Sequence, residues 1–247
     1  MKRLLWLVVV GILTVSLLLG GCTKSTTKIR VATDATWPPF ESINEQTKEI
    51  EGFDIDLFKA IAAKENIEVE FINVAWDPLL AGVAQGTYDA AISSISITED
   101  RQKVMLFSDP YFAAGQLIAV RIDNTTIKSK DDLKGKTVGV QLGTTGNIEV
   151  NNITGATAKP YDDIGLAFQD LMNGQVEAVV ADNPLVLSYV GKNAAKLKTT
   201  GQVFSAENYG IAVAKTKTDL LNKINAGLKK VKAEGIIETL SKKWLEK

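Results

Sequence analysis

Two stretches of this chain repeat one construction. Gly86-Thr87-Tyr88-Asp89-Ala90-Ala91 and Gly174-Gln175-Val176-Glu177-Ala178-Val179 each run glycine, two residues, an acid, alanine and then an apolar run, and each follows a helical pattern. Short apolar runs bounded by turn residues are what a sheet covered on both faces requires. Used twice, the construction predicts two α/β lobes of similar build, each ending a strand in polar residues, with a cleft between them.

The chain in order fits this plan. Ile29 to Thr33 is a β-branched strand ending at Asp34, and Trp37-Pro38-Pro39-Phe40 forces an extended turn. Phe58, Ile61 and Ala62 have helical spacing after Gly52, with Asp54 or Asp56 as the cap and the other acid solvated. Val69 to Val74 alternates like a strand. Asp77-Pro78 reads as a cap residue and first-turn proline, and Gly86 as the end of that helix. Tyr88 to Ile92 is the next strand, so this half reads as strand, helix, strand, helix, strand, the order of a parallel sheet. In the second half, Thr137 to Val140 is a strand, Gly143-Thr144-Thr145-Gly146 opens a helix, and Asp162-Asp163 starts another that Gly174 closes. Tyr111 to Val120 and Tyr209 to Ala214 are strands that cross between the lobes, the arrangement a hinge requires. An amphipathic helix from Asp219 to Ala233, with Leu220, Ile224, Leu228 and Val231 on one face, and a short helix from Ile236 to Trp244 complete the chain.

Chemistry concentrates after the strand at Tyr88 to Ile92. Ser93, Ser94 and Ser96 follow it, then a helix opening near Thr98 and Arg101. Free N–H groups at a helix start favour negative charge, and a guanidinium grips a carboxylate through two parallel bonds. Ligands of open α/β sheets bind outside the carboxyl ends of strands, where these residues lie.

Met1-Lys2-Arg3, the apolar run Leu4 to Leu19 and Gly20-Gly21-Cys22 make a secretory signal rather than a membrane span. Cys22 is the only cysteine, which excludes a disulfide framework. Lys and Arg (28) nearly balance Asp and Glu (29) and are scattered, which argues against nucleic acid as a partner. With no histidine, the commonest general base and most zinc chemistry are gone. No Gly-rich phosphate fingerprint or clustered ligand set supports a nucleotide or metal, so no cofactor is expected.

Taken together, these residues resemble the bacterial extracellular solute-binding proteins of polar amino-acid ABC transporters, the glutamine-, histidine- and arginine-binding group. The resemblance runs through Asp34 with Pro39-Phe40-Glu41, Gly52-Phe53-Asp54-Ile55-Asp56-Leu57 and Ile95-Ser96-Ile97-Thr98-Glu99-Asp100-Arg101. It continues through Phe107-Ser108-Asp109-Pro110-Tyr111, Gly139-Val140-Gln141-Leu142-Gly143-Thr144-Thr145 and Tyr209-Gly210-Ile211-Ala212. It implies the two-lobed periplasmic-binding-protein fold: an α/β chain in which each lobe is a central, mostly parallel sheet flanked by helices, with two hinge crossings. Residues 29–111 plus 209–247 would form lobe 1 and residues 112–208 lobe 2. Leu19-Gly20-Gly21-Cys22 resembles the bacterial lipobox, so residues 1–21 would be removed. Cys22 would carry the lipid, palmitate included, and residues 22–28 would tether the protein outside the cytoplasm to the cell membrane.

The resemblance further implies an L-amino acid as ligand, ABC transporter membrane subunits as partners and a monomer. The ligand's α-carboxylate would meet Arg101, helped by N–H groups near Ser96 and Thr145 and by the hydroxyl of Thr144. Its ammonium would face Asp182, the carbonyl of Ser94 and the hydroxyl of Ser96, within the turn that Ser93 begins. Asp34 would meet the distal end of the side chain, which suits an amide or a cation and repels a carboxylate. Trp37 and Trp76 would sandwich its aliphatic part or stack on a guanidinium. Gln141 stands where glutamine-specific relatives carry a lysine, which removes a cation from the pocket. Arginine and glutamine lead, with lysine and histidine open. The competing readings are an enzyme on the same scaffold, of the cyclohexadienyl-dehydratase type, and a ligand sensor feeding a separate receptor.

Overall fold

The computed structural model describes residues 28–246. The signal segment, Cys22 and nearly all of the tether lie outside the described residues.

The elements in order are β1 (Ile29–Thr33), β2 (Thr36–Trp37), β3 (Glu41–Ile43), β4 (Ile50–Glu51), α1 (Phe53–Glu65), β5 (Val69–Asn73), α2 (Trp76–Gln85), β6 (Ala90–Ala91), α3 (Glu99–Val104), β7 (Leu106–Phe107) and β8 (Phe112–Arg121). After a 3-10 turn at Lys130–Leu133 come β9 (Thr137–Gln141), α4 (Thr145–Asn151), β10 (Thr157–Tyr161), α5 (Ile164–Met172), β11 (Ala178–Asp182), α6 (Asn183–Lys192), β12 (Leu197–Tyr209), β13 (Ala212–Val213), α7 (Thr218–Ala233) and α8 (Ile236–Trp244).

Two five-stranded sheets carry the two lobes, in the orders β5-β1-β6-β13-β7 and β10-β9-β11-β8-β12. The repeat noted in the sequence is a repeat in space. Gly86 and Gly174 both adopt left-handed φ (77° and 74°), which only glycine takes without strain. Asp89 accepts the N–H of Arg30 on the neighbouring strand at 2.9 Å, and Glu177 accepts that of Thr137 at 2.7 Å. In each lobe the acid pins a new central strand to the neighbour it pairs with in the sheet, β6 to β1 and β11 to β9.

The sheets are less parallel than expected. β1 pairs in parallel with β5 and β6, and β9 with β10 and β11, but β13 and β8 then join their sheets antiparallel. The cause is the crossing: a strand that enters its sheet from the other lobe, rather than over a covering helix, is free to run the opposite way. Alternate residues serve opposite faces. Val31, Ala90 and Val213 pack with Phe58, Ile61, Ile224 and Leu228, whereas Ala32, Ala91 and Ala212 pack with Trp76, Leu79 and Val83. The second sheet divides likewise, with Val179 and Ala181 against Phe168 and Leu185, and Val138 and Val180 against Leu133 and Val150.

Several local expectations need correcting. α1 has Gly52 at its N-cap with no side-chain cap; Asp54 is buried, and Asp56 accepts from Lys243 and Trp244 of α8 at 2.6 and 2.9 Å. α2 begins at Trp76 after Ala75, so Asp77 lies inside the first turn. The strand expected over 88–92 is only Ala90–Ala91. The second crossing is not one strand over 209–214: Tyr209 ends the thirteen-residue β12, and β13 is separate. The first crossing strand starts at Phe112 and runs to Arg121. β12 escaped detection because Lys198, Thr199, Thr200, Gln202, Glu207 and Asn208 break its apolar pattern. It pairs with β8 from Tyr209↔Phe112 to Leu197↔Arg121. At the crossings Phe40, Phe112 and Tyr209 stack edge and face at 5.0–5.7 Å between centroids, an aromatic plug under the cleft.

Candidate functional site

The cleft is built where strand ends of the two sheets face each other. From the first lobe, β6 runs into a turn in which Ser94 takes a left-handed backbone (φ 48°), uncommon for a residue with a side chain. Its N–H donates to Asp54 Oδ2 at 2.8 Å. Ser93 Oγ accepts the N–H of Asp34 at 2.9 Å and donates to Glu41 Oε1 at 3.2 Å. Thr98 caps α3, accepting the N–H of Arg101 at 3.2 Å, and so aims that guanidinium back at the cleft. Arg101 Nη1 donates to the carbonyl of Ser96 at 2.8 Å and Nη2 to that of Gly143, in the second lobe, at 3.3 Å. Its guanidinium lies 5.1 Å from the centroid of the Trp76 ring, so that ring is engaged by the protein's own cation.

The second lobe offers Asp182 at the end of β11. Asp182 Oδ1 accepts from Gln116 Nε2 at 2.6 Å and Oδ2 from the Tyr209 hydroxyl at 2.5 Å. It precedes α6 but gives that helix no side-chain cap. Thr144 caps α4 and its hydroxyl donates to Gln141 O at 2.8 Å. Thr145 Oγ1 donates to Glu207 Oε2 at 2.8 Å.

Nine of the eleven side chains singled out in the sequence line a single cavity: the two tryptophans, Ser93, Ser94, Ser96, Arg101, Thr144, Thr145 and Asp182. Asp34 and Gln141 are not on its wall. They bond to each other at 3.1 Å, and Gln141 Oε1 accepts from Trp37 Nε1 at 2.5 Å, so they back the Trp37 side of the cavity. Arg101 and Asp182 thus share one gap across the two lobes.

The sequence pattern of the bacterial extracellular solute-binding proteins, family 3, matches residues 29–247. The chain belongs to this family. It is 34% identical over 218 residues to the L-cystine-binding protein TcyJ of Escherichia coli strain K12, covering 87% of this chain and 81% of that protein. It is 36% identical over 228 residues to the ABC transporter arginine-binding protein 1 of the same strain, covering 88% and 90%. The solved structure of an ancestral arginine-binding protein bound to glutamine superposes with a TM-score of 0.84 at 45% identity, covering 89% of this chain and 98% of that one. This likeness carries the two-lobed fold with it.

Within this family 3 chain the cleft is electrostatically loaded. Burial, reinforced by Glu207, pushes Asp182 up to about 7, while Tyr209, Gln116 and Arg101 pull it down. Burial pushes Asp34 up to about 6 against hydrogen bonds from Thr36 and Gln141, with Asp163 adding to the rise. Burial lowers the Arg101 value, and Asp182 and Glu207 oppose that.

Three participants escaped the sequence reading. Glu207 on β12 accepts from Ser96 Oγ at 2.5 Å, from Thr145 Oγ1 and from Gln116 Nε2 at 2.8 Å, and so ties one lobe to the other. Gln116 is fully buried within β8, which is otherwise apolar up to its terminal Arg121, and that lone amide was a readable signal. Tyr209 stands out in the sequence only as the start of a crossing strand and of a motif, with no role at the site. Glu207 gave no signal, because its strand did not look like one.

Proposed function

We propose that the chain binds a polar or cationic L-amino acid between its lobes, with arginine first and glutamine second, and delivers it to an ABC importer. The observation that carries this is the pairing of Arg101 and Asp182 across one cavity whose wall also holds two buried polar atoms without protein partners, Ser94 Oγ and Trp76 Nε1. Buried polar groups are nearly always satisfied, so the cavity suits a polar molecule. The α-carboxylate meets Arg101 and the ammonium meets Asp182, so a single zwitterion engages both lobes and favours their closure.

Charge favours arginine. Asp34, Asp182 and Glu207 outnumber Arg101, and a zwitterion leaves that excess uncompensated, whereas a distal guanidinium relieves it. The relatives are binding proteins, and we read this chain likewise as a binder without catalysis. Residues 29–111 with 209–247 are lobe 1 and 112–208 lobe 2, in keeping with the strands each sheet contains. Closure would present both lobes to the transporter's membrane subunits. Cys22, after removal of residues 1–21, is the lipid anchor; Cys22→Ser should release the protein from membranes.

The test is a thermal-shift screen of unfolded-and-refolded protein against the twenty amino acids, followed by calorimetry. A ligand at about a hundred times its Kd stabilises by about 2.7 kcal/mol. Arginine should give the largest shift. No shift with any amino acid, or the largest with aspartate or glutamate, refutes the reading.

A further inference from the structure

Behind the Ser93–Ser94 turn lie two carboxyl groups that do not line the cavity and hydrogen-bond to its wall only through this turn. Glu41 on β3 and Asp54 in the first turn of α1 are both wholly excluded from solvent. They lie within hydrogen-bond reach of each other. No salt bridge among the described residues includes either. Asp54 Oδ2 accepts twice, from the N–H of Ser94 and from the Tyr111 hydroxyl, each at 2.8 Å. Glu41 Oε1 accepts from Ser93 Oγ. One oxygen on each remains without a partner, Glu41 Oε2 and Asp54 Oδ1. Two bare carboxylates cannot face each other away from water, but one proton between them satisfies both of these atoms.

We propose that Glu41 and Asp54 hold one shared proton and act together as a positioning pair for the ligand site. Asp54, as the carboxylate, keeps Ser94 in its left-handed backbone. Glu41, as the acid, keeps Ser93 against the backbone of Asp34. The proton ties the two supports together. The proposal rests on the amino-acid reading of the cleft above.

The surroundings agree. Burial and the neighbouring Asp54 and Asp34 hold Glu41 well above the usual carboxyl range, and burial pushes Asp54 up to about 7 against its hydrogen bonds from Ser94, Tyr111 and Glu41. From β3 and α1 come the pair itself, from the end of β1 comes Asp34, and from the first crossing comes Tyr111, whose hydroxyl burial keeps protonated. The turn contributes only the Ser93 hydroxyl and the Ser94 N–H. Every charge facing the pair is negative, so loss of its proton forces the turn off its supports. Affinity must then fall on the alkaline side, whereas protonation of Asp34 and Asp182 lowers it on the acid side.

The test compares wild type with Glu41→Gln, in which an amide hydrogen that cannot dissociate replaces the shared proton. Dissociation constants for arginine and for glutamine are measured by calorimetry on the full chain, stripped of ligand, from about pH 6 to about pH 8.5. Dividing one protein's constant by the other's cancels titration of the ligand, of Asp34 and of Asp182. The wild type should weaken relative to the variant by about fivefold or more across that range. A ratio that stays level overturns the proposal, since a merely structural pair would shift affinity equally at every pH. If Glu41→Gln does not fold, Tyr111→Phe serves instead. Removing that donor disfavours the charged pair and must move the alkaline loss to higher pH, and a loss that stays in place overturns the proposal. A wild type that binds no amino acid at any pH overturns the reading of the cleft, an outcome distinct from binding with parallel profiles.

Discussion

Asp182→Asn should raise stability and abolish tight binding together. Asp182 is 3% exposed, and its ordinary value of 3.8 is pushed up to about 7. At about 1.4 kcal/mol per pKa unit, keeping this carboxyl ionised in the empty cleft costs on the order of 4 kcal/mol near neutral pH. The asparagine removes that charge. Its oxygen still accepts from Gln116 Nε2, but its amide must face the Tyr209 hydroxyl that now donates to Oδ2. Reversing that bond costs about 1 kcal/mol, which leaves a net gain of roughly 2–3 kcal/mol. For a chain of this length that is about 5–10 °C in Tm without ligand. Binding moves the other way, because losing one partner of a buried charge pair costs about 2–5 kcal/mol, or roughly thirtyfold to several thousandfold in Kd. Thermal unfolding of ligand-free protein and titration calorimetry with arginine measure the two effects separately. A variant that binds within about threefold of wild type refutes the assignment of the ammonium to Asp182. A variant that melts well below wild type shows instead that the carboxylate is there to hold the fold.

Arg101→Ala should weaken arginine and glutamine binding alike by about 2–5 kcal/mol, since it removes the carboxylate partner common to both. Arg101→Lys should recover only part of this, because an ammonium cannot bond Ser96 O, Gly143 O and a ligand in one plane; titration of both variants checks it. Stability and affinity should depend on pH with opposite signs. Asp34 and Asp182 have folded values raised from 3.8 to about 6 and about 7, so their protonated forms favour the folded state below about pH 4 and that advantage is lost as pH rises through about 7. Ligand-free Tm should therefore be higher near pH 5 than near pH 8, while calorimetry should show binding weakening as pH falls below about 7. Glu207→Gln should cost arginine more affinity than glutamine, because it removes one negative charge from the cleft. Equal losses would show that Glu207 only braces Ser96 and Thr145.

Much of this protein is written locally. The helix from Ile236 to Trp244 and the strand from Ile29 to Thr33 have the bounds that spacing and residue type alone suggest: the helix sets Ile236, Ile237, Leu240 and Trp244 against the first lobe's core at helical spacing, and the strand is a β-branched run buried towards its end. The repeated glycine–acid phrase carried the two-lobe plan, since a left-handed turn feeding a buried strand is a local requirement. Arg101, Asp182 and the serines were legible because polar residues at the carboxyl end of an apolar strand are unusual. Other features depend on partners distant in sequence. β12 looks unlike a strand because its order comes from the whole length of β8, not from its own pattern. Local pattern leaves Asp54 as either the helix cap or a solvated acid, yet it is buried and caps nothing, since Ser94 and Tyr111 reach it from 40 and 57 residues away. Glu207 meets Ser96 only because β12 returns along β8 to the boundary between the lobes, 111 residues on. Local pattern set most of the helices and strands and the charges on offer; which charges meet is a matter of the fold, because a carboxylate's neighbours, and hence its proton, are set by the closing of long loops rather than by adjacent residues.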